Sequence, residues 1–276
     1  MFQILAPVDF SPASTVAART AAKLALDFQA HLHLLYAYNL PIPVPETDFL
    51  QLNASALQAE YQHQMNELVE ELQKTGLTAI SNTVLLGNPK EAILEFAEEN
   101  RSDLIVLGLK GSGGGLAKMI GSTTTKVLRN TSIPLMLIPA DFEAINFQKI
   151  VIAVDEFSDI RRHPIRCIKE LVHRYHAILT LLHINKSENS VELFPEIRKI
   201  DWMQYFPEAT LSFETFYHTD VNQGLMEYTE SHHTNLLTLL SHRHQFIERI
   251  FKEPFSVGLS YKSRIPLLLL PETTEE

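Results

Sequence analysis

Asp9 and the glycine-rich stretch between Asp103 and Pro139 hold the residues whose types and spacing could do chemistry. An apolar run from Leu104 to Leu107 ends at Gly108, Gly111, Gly113, Gly114 and Gly115 follow, and a helical pattern resumes at Gly121-Ser122. Glycine lets the backbone take positive φ and lets a ligand approach N–H groups closely, while a helix starting at Gly121 offers unpaired donors at the positive end of its dipole. That combination suits a phosphate. The alternative use of the glycines is a mobile lid. Asp9 closes the apolar run Gln3 to Val8, and Ser11-Pro12 behind it supplies an N-cap and a proline at the first helical position. Asp9 therefore stands at the carboxyl edge of a presumed sheet, where open α/β sheets bind ligands, or it ties down the helix start.

Gly108, two residues, Gly111, nine residues and Gly121-Ser122 reproduce GxxGx(9)G(S/T) without a gap. No GK(S/T) closes the loop as in a Walker motif, and the loop follows a late strand rather than the first, unlike a Rossmann fingerprint. In this spacing, and in the GxPxxxI junction from Gly87 to Ile93, the chain resembles the ATP-binding branch of the universal stress protein family. The resemblance implies an adenine nucleotide as ligand: ATP, or AMP or ADP, with Mg²⁺ arriving with the triphosphate. It implies close backbone contacts at Gly108, Gly111 and Gly121 and phosphate hydrogen bonds from Ser122 and Thr123. Asp9 would hold the nucleoside, with Ala37 as the small residue beside the adenine, and Pro7, Val8, Leu107 and Thr124 complete the expected set. Lys110, Lys118 and Lys126 read as charge partners or as solvated lysines.

A chain of 276 residues is long enough for two domains with their own cores. With 45% hydrophobic and 20% charged residues it reads as globular. The formal net charge of -10 argues against a broad nucleic-acid or anionic-membrane surface. MFQILAPVDFS lacks the basic flank and long apolar core of a signal peptide, and no apolar stretch reaches about 18 residues, so the expected location is cytoplasmic. The single cysteine, Cys167 in PIRCIKELV, reads as a buried structural thiol.

Strands are expected at 3–8, 31–38, 78–86, 104–107 and 135–138, with helices from Ser11-Pro12, over 49–74, after Pro89 and from Gly121. Apolar strands alternating with helices predict a parallel sheet covered on both faces. The pattern then restarts. ILAPVDFS is echoed by IVIAVDEFS at 150–158, and SIPLMLIP by RIPLLLLP at 264–271. The chain is an internal duplication, with units at 1–141 and 147–272, and the expected fold is two tandem open five-stranded parallel α/β sandwiches, Rossmann-like and resembling the adenine nucleotide α-hydrolases. Strands at 178–184, 211–217 and 236–240 and helices at 193–205 and 221–232 are read in the second unit. The final strands of the two units are expected to pair within the chain as a pseudo-dimer, with a homodimer open.

The second copy has lost the loop. Where the first reads GLKGSGGGLAKMIGST, the second reads SHRHQFIERIFKEPFS, with no glycine and with Pro254 near the helix start. Twelve histidines, His232-His233, His242 and His244 among them, raise a metal site, but no HxxxH pair on a helix supports one. The leading expectation is a nucleotide-dependent regulator with an unidentified protein partner, one nucleotide in the first unit and no catalytic residues. A slow ATPase and a nucleotide-free interaction scaffold are the alternatives.

Overall fold

A computed structural model describes residues 1–39, 48–109, 122–143, 145–155, 158–186, 196–241 and 265–272. The chain opens with β1 (Gln3–Pro7), whose residues after Gln3 are all buried, as a parallel strand covered on both faces requires. Ser11 then caps α1 (Pro12–Phe28): its side chain accepts from the Ser14 N–H, and Pro12 supplies a pre-set φ at the first helical position. Ala17, Ala18, Ala21, Ala22 and Ala25 face inward, so this helix lies close on the sheet. β2 (His31–Tyr38) and the long α2 (Asp48–Gln73) follow. Gly76, at φ +96°, turns the chain out of α2 with its N–H on the Gln73 carbonyl.

β3 (Ile80–Leu86), α3 (Pro89–Glu99), β4 (Leu104–Leu109), α4 (Ser122–Asn130) and β5 (Leu135–Pro139) complete the first half. The second half runs β6 (Lys149–Ala153), a 3₁₀ turn (Ile160–Arg162), α5 (Arg166–Tyr175), β7 (Ile178–Asn185), α6 (Glu196–Tyr205), β8 (Thr210–Tyr217), α7 (Val221–Ser231), β9 (Leu236–Ser241) and β10 (Leu267–Pro271).

These strands form one ten-stranded sheet in the order β3-β2-β1-β4-β5-β10-β9-β6-β7-β8. Each half is the five-stranded parallel sheet expected from sequence. The final strands of the two units pair within the chain as expected: β5 and β10 run antiparallel, Leu267 opposite Leu137 and Leu269 opposite Leu135, and merge the halves into one sheet. Every other neighbouring pair is parallel. The apolar core on the α1 and α2 face runs through both halves, from Phe2, Phe28 and Met65 to Phe147, Ile168 and Trp202. On this face α1 meets α5: the Tyr175 hydroxyl donates to Asp27, and Arg166 pairs with Asp103 at 2.5 Å while lying over the Phe2 ring.

Three local details differ from the sequence reading. β3 starts at Ile80 because Thr78 is used in a turn, its carbonyl accepting from the Ile80 N–H. β4 does not stop at Leu107; Gly108 and Leu109 continue it, opposite Ile138 and Pro139. The second half also contains α5, ten residues against seventeen in α1 and starting late, after the 3₁₀ turn.

Candidate functional site

A cavity of about 270 Å³ opens at the carboxyl ends of β1, β2 and β4. Here the strand order reverses, with β2 on one side of β1 and β4 on the other, and the crevice is where open α/β sheets take ligands. β1 delivers Pro7, Val8 and Asp9; β2 delivers Leu35 and Ala37 from one face; β4 delivers Leu107 and Gly108. Thr123 and Thr124 in the first turn of α4 close the far side. Eight of the eleven residues expected from sequence thus share one cavity. Ser122 is the first residue of α4, next to this wall, and Gly111 and Gly121 lie outside the described residues.

The wall holds further residues that the sequence reading left out. Ser11, Ala13 and Ser14 come from the first turn of α1, and Pro89 and Ile93 from the start of α3. Ser11 was visible as an N-cap and Pro89 and Ile93 as the GxPxxxI junction, but only the packing of α1 and α3 over the sheet brings them to the ligand side. The resulting lining is apolar over Val8, Leu35, Ala37, Ile93 and Leu107 and polar at Asp9, Ser11, Ser14, Thr123 and Thr124. Such a cavity buries a flat ring system against the apolar part and presents hydroxyls to a polar substituent.

Asp9 is exposed yet held. Its Oδ1 accepts from the Ser11 N–H at 3.1 Å and from the Ser11 hydroxyl, and its own N–H donates to Ser14 Oγ at 3.2 Å. Phe10 between them has φ +57° and packs its ring 4.8 Å from that of Tyr36, which meets Tyr61 of α2 edge-to-face. Burial first, and then Tyr61 and the Asp9 charge, push the Tyr36 hydroxyl up to about 12.

Gly108, expected from sequence to give a ligand close backbone contact, also has a packing role in the fold. A Cβ there would lie 2.4 Å from the Ala13 carbonyl oxygen, so glycine is required for α1 to cross β4 this closely. The second half shows the contrast. Val8 and Val154 donate to Leu35 and Leu182 in the same way, and Tyr38 and Asn185 accept from Gly87 and His218, so Ile184 stands where Ala37 does. By the β1·β4 and β6·β9 registers, Leu240 stands where Gly108 does. Both are buried. A leucine in place of the glycine fits a helix that begins only at Arg166, and Ile184 Cγ2 packs onto Gly224 of α7, where a Cβ would come within 3.1 Å of it. The window from 241 to 256, in which the lost glycines were read, lies outside the described residues beyond Ser241.

Among the described residues no three histidine, cysteine or carboxylate groups come together as metal ligands. His232 stacks on Tyr228 at 3.8 Å, and His233 ends α7 with positive φ; His242 and His244 lie outside the described residues. His31 and His33 share Ser81 between them, and His33 also meets Thr83 and the Phe96 ring. Cys167 is buried, and burial pushes its thiol up, so it is inert core. No helix among the described residues is long and apolar enough to cross a membrane.

The model of the universal stress protein family matches residues 1–139. A universal stress protein of Methanocaldococcus jannaschii is 28% identical over 138 residues, covering 49% of this chain and 81% of that protein. Another, from Thermus aquaticus, is 31% identical over 125 residues, 44% of this chain and 89% of its own length. A solved universal stress protein from Archaeoglobus fulgidus superposes over 97% of both chains with a TM-score of 0.70 at 16% identity, a likeness of fold. The expected resemblance thus holds where the loop and the cavity lie, and the chain belongs to the universal stress protein family.

Proposed function

We propose that the chain binds one adenine nucleotide, ATP or its shorter relatives, in the first of two units, 1–141 and 147–272, and acts as a regulator in a stress response rather than as a fast enzyme. The observation that carries this is the cavity at the carboxyl ends of β1, β2 and β4, which gathers Asp9, Ala37, Gly108, Thr123 and Thr124 on one wall system. Its apolar part, with Ala37 leaving room, suits the base; Asp9 suits the ribose hydroxyls; and the first turn of α4, with the glycine motif before it, suits the phosphates. Mg²⁺ would come with the triphosphate.

Asp9 is the one carboxylate among the described lining residues, and it already accepts two hydrogen bonds from Ser11. With Asp9 assigned to the ribose, no other described lining carboxylate remains to act as a general base, which supports slow or absent hydrolysis. Stoichiometry follows from Ile184 and Leu240, which take up space in the second unit. Mass spectrometry of ligand released from purified protein, followed by calorimetry with ATP and AMP, tests the reading. One site per chain is the expected result. No binding of either nucleotide would reject it, and a turnover near about 10 per second would reject the regulatory part.

A further inference from the structure

Among the described residues, five that are not glycine have positive φ: Phe10, Gln29, Arg101, His176 and His233. Gln29, Arg101, His176 and His233 follow the ends of α1, α3, α5 and α7, where a left-handed residue commonly closes a helix. Phe10 precedes a helix, between Asp9 and the N-cap Ser11, both of which line the cavity. For a bulky L-residue this conformation is disfavoured about tenfold against its alternatives, so something must hold it.

What holds it is on the other side of β2. Leu35 and Ala37 point into the cavity, and Tyr36 between them points to the α2 face, where its ring lies 4.8 Å from Phe10 and 4.8 Å from Tyr61. Tyr38 closes the cluster at 4.8 Å from Tyr61. The left-handed turn sends the chain back on itself, so that the Ser11 N–H reaches Asp9 Oδ1 and the Asp9 N–H reaches Ser14 Oγ. An extended residue at position 10 would carry Ser11 away from Asp9.

We propose that Phe10 is a positioning residue: its ring, clamped on Tyr36, fixes the left-handed turn that sets the Asp9 carboxylate and the amino end of α1 against the same cavity. The effect on ligand affinity rests on the nucleotide reading above. The effect on the turn does not.

The experiment compares Phe10→Tyr, Phe10→Ala and Phe10→Gly in the full chain by amide hydrogen exchange and by calorimetry with ATP. In Phe10→Ala, exchange at Asp9 and Ser11 should accelerate about tenfold or more, while Ile105, bonded to the Pro134 carbonyl, stays unchanged. Phe10→Tyr should match the parent. Phe10→Gly should fall between, because glycine takes positive φ without penalty but has no ring. A side chain that only fills volume gives glycine no advantage over alanine, so that result would overturn the proposal. ATP affinity should follow the same order, and unchanged affinity in an alanine variant with fast exchange would overturn the positioning role. If the parent binds no ATP while the exchange order holds, the nucleotide reading falls and the assignment of the turn stands. Should Phe10→Ala not fold, Tyr36→Leu, which removes the ring beneath Phe10, carries the same expectation.

Discussion

Ala37→Ile copies into the first half the residue that the second half carries as Ile184, and it should close the cavity. The isoleucine adds three carbons on the face of β2 that lines the space with Leu35 and Ile93. A flat aromatic system the size of a base buries about 150 Å². Keeping it out forfeits about 4 kcal/mol at roughly 25 cal/mol per Å², which is about a thousandfold in Kd. Overpacking will cost stability as well, about 1–3 kcal/mol. The second half indicates how to relieve that cost: Ile184 packs on Gly224, and counting from the helix starts at Pro89 and Val221, Ala92 holds the position of Gly224. The double variant Ala37→Ile, Ala92→Gly should therefore stay closed to ligand, with a stability nearer the parent's. Calorimetry with ATP reads the affinity and urea unfolding reads the stability. Parental affinity in a folded Ala37→Ile protein would refute the assignment of the base to this part of the cavity.

Gly108→Ala should destabilise the fold by about 3 kcal/mol and loosen the start of α1, since its Cβ meets the Ala13 backbone at 2.4 Å; a urea midpoint like the parent's would disprove the close crossing. Thr238, fully buried in β9, has no hydrogen-bond partner for its hydroxyl among the described residues, so the isosteric Thr238→Val should gain about 1 kcal/mol and raise Tm by a few degrees in calorimetric melts. Burial, and then the neighbouring His31, lower His33 from 6.5 to about 4, so between these values the unfolded chain binds a proton that the folded chain refuses. Stability should therefore fall as pH drops from 6.5 toward 4, and Phe96 and Ser81 should loosen with it. His33→Gln, which keeps a polar group opposite Thr83 but does not titrate, should flatten that slope in urea midpoints taken at pH 7 and 5; an equal slope would assign the loss to other groups.

The parts of this molecule that were legible in the sequence are those written in local pattern. Buried runs such as LIVL and LMLIP mark central parallel strands, and Ser11-Pro12 and Asn88-Pro89 mark helix starts that the chain keeps. Gly108 was found through motif spacing, Asp9 from its place after an apolar run and Ala37 through the family resemblance, and they meet in one cavity because each sits at the end of a strand. What was not legible depends on distance between elements. The clash that makes Gly108 obligatory comes from Ala13, almost a hundred positions away, and the room for Ile184 comes from Gly224, forty positions on. Nothing in the sequence around Phe10 announces positive φ, because the ring that anchors it belongs to β2. The pairing of the two final strands was expected from their repeat, but its register, Leu267 opposite Leu137, was not.

That pairing also gives the second half a role that needs no cavity of its own. All five residues of β5 are buried, and without β10 beside it the strand would present an open apolar edge of unpaired N–H and C=O groups, a template for association with other chains. β10 covers that edge with Leu267, Leu268 and Leu269, and α5 adds the Tyr175 contact to Asp27 and the Arg166 pair with Asp103 on the adjoining face. None of these contacts involves the carboxyl ends of β6, β7 and β9, where the second cavity would be. Covering the edge therefore constrains β10, α5 and the shared core, and it leaves Ile184 and Gly224, on the other face of the sheet, free to repack. A cavity and an edge-covering surface are separable demands on one fold: both halves cover an edge, and Ile184 in the second stands where Ala37 lines the cavity in the first.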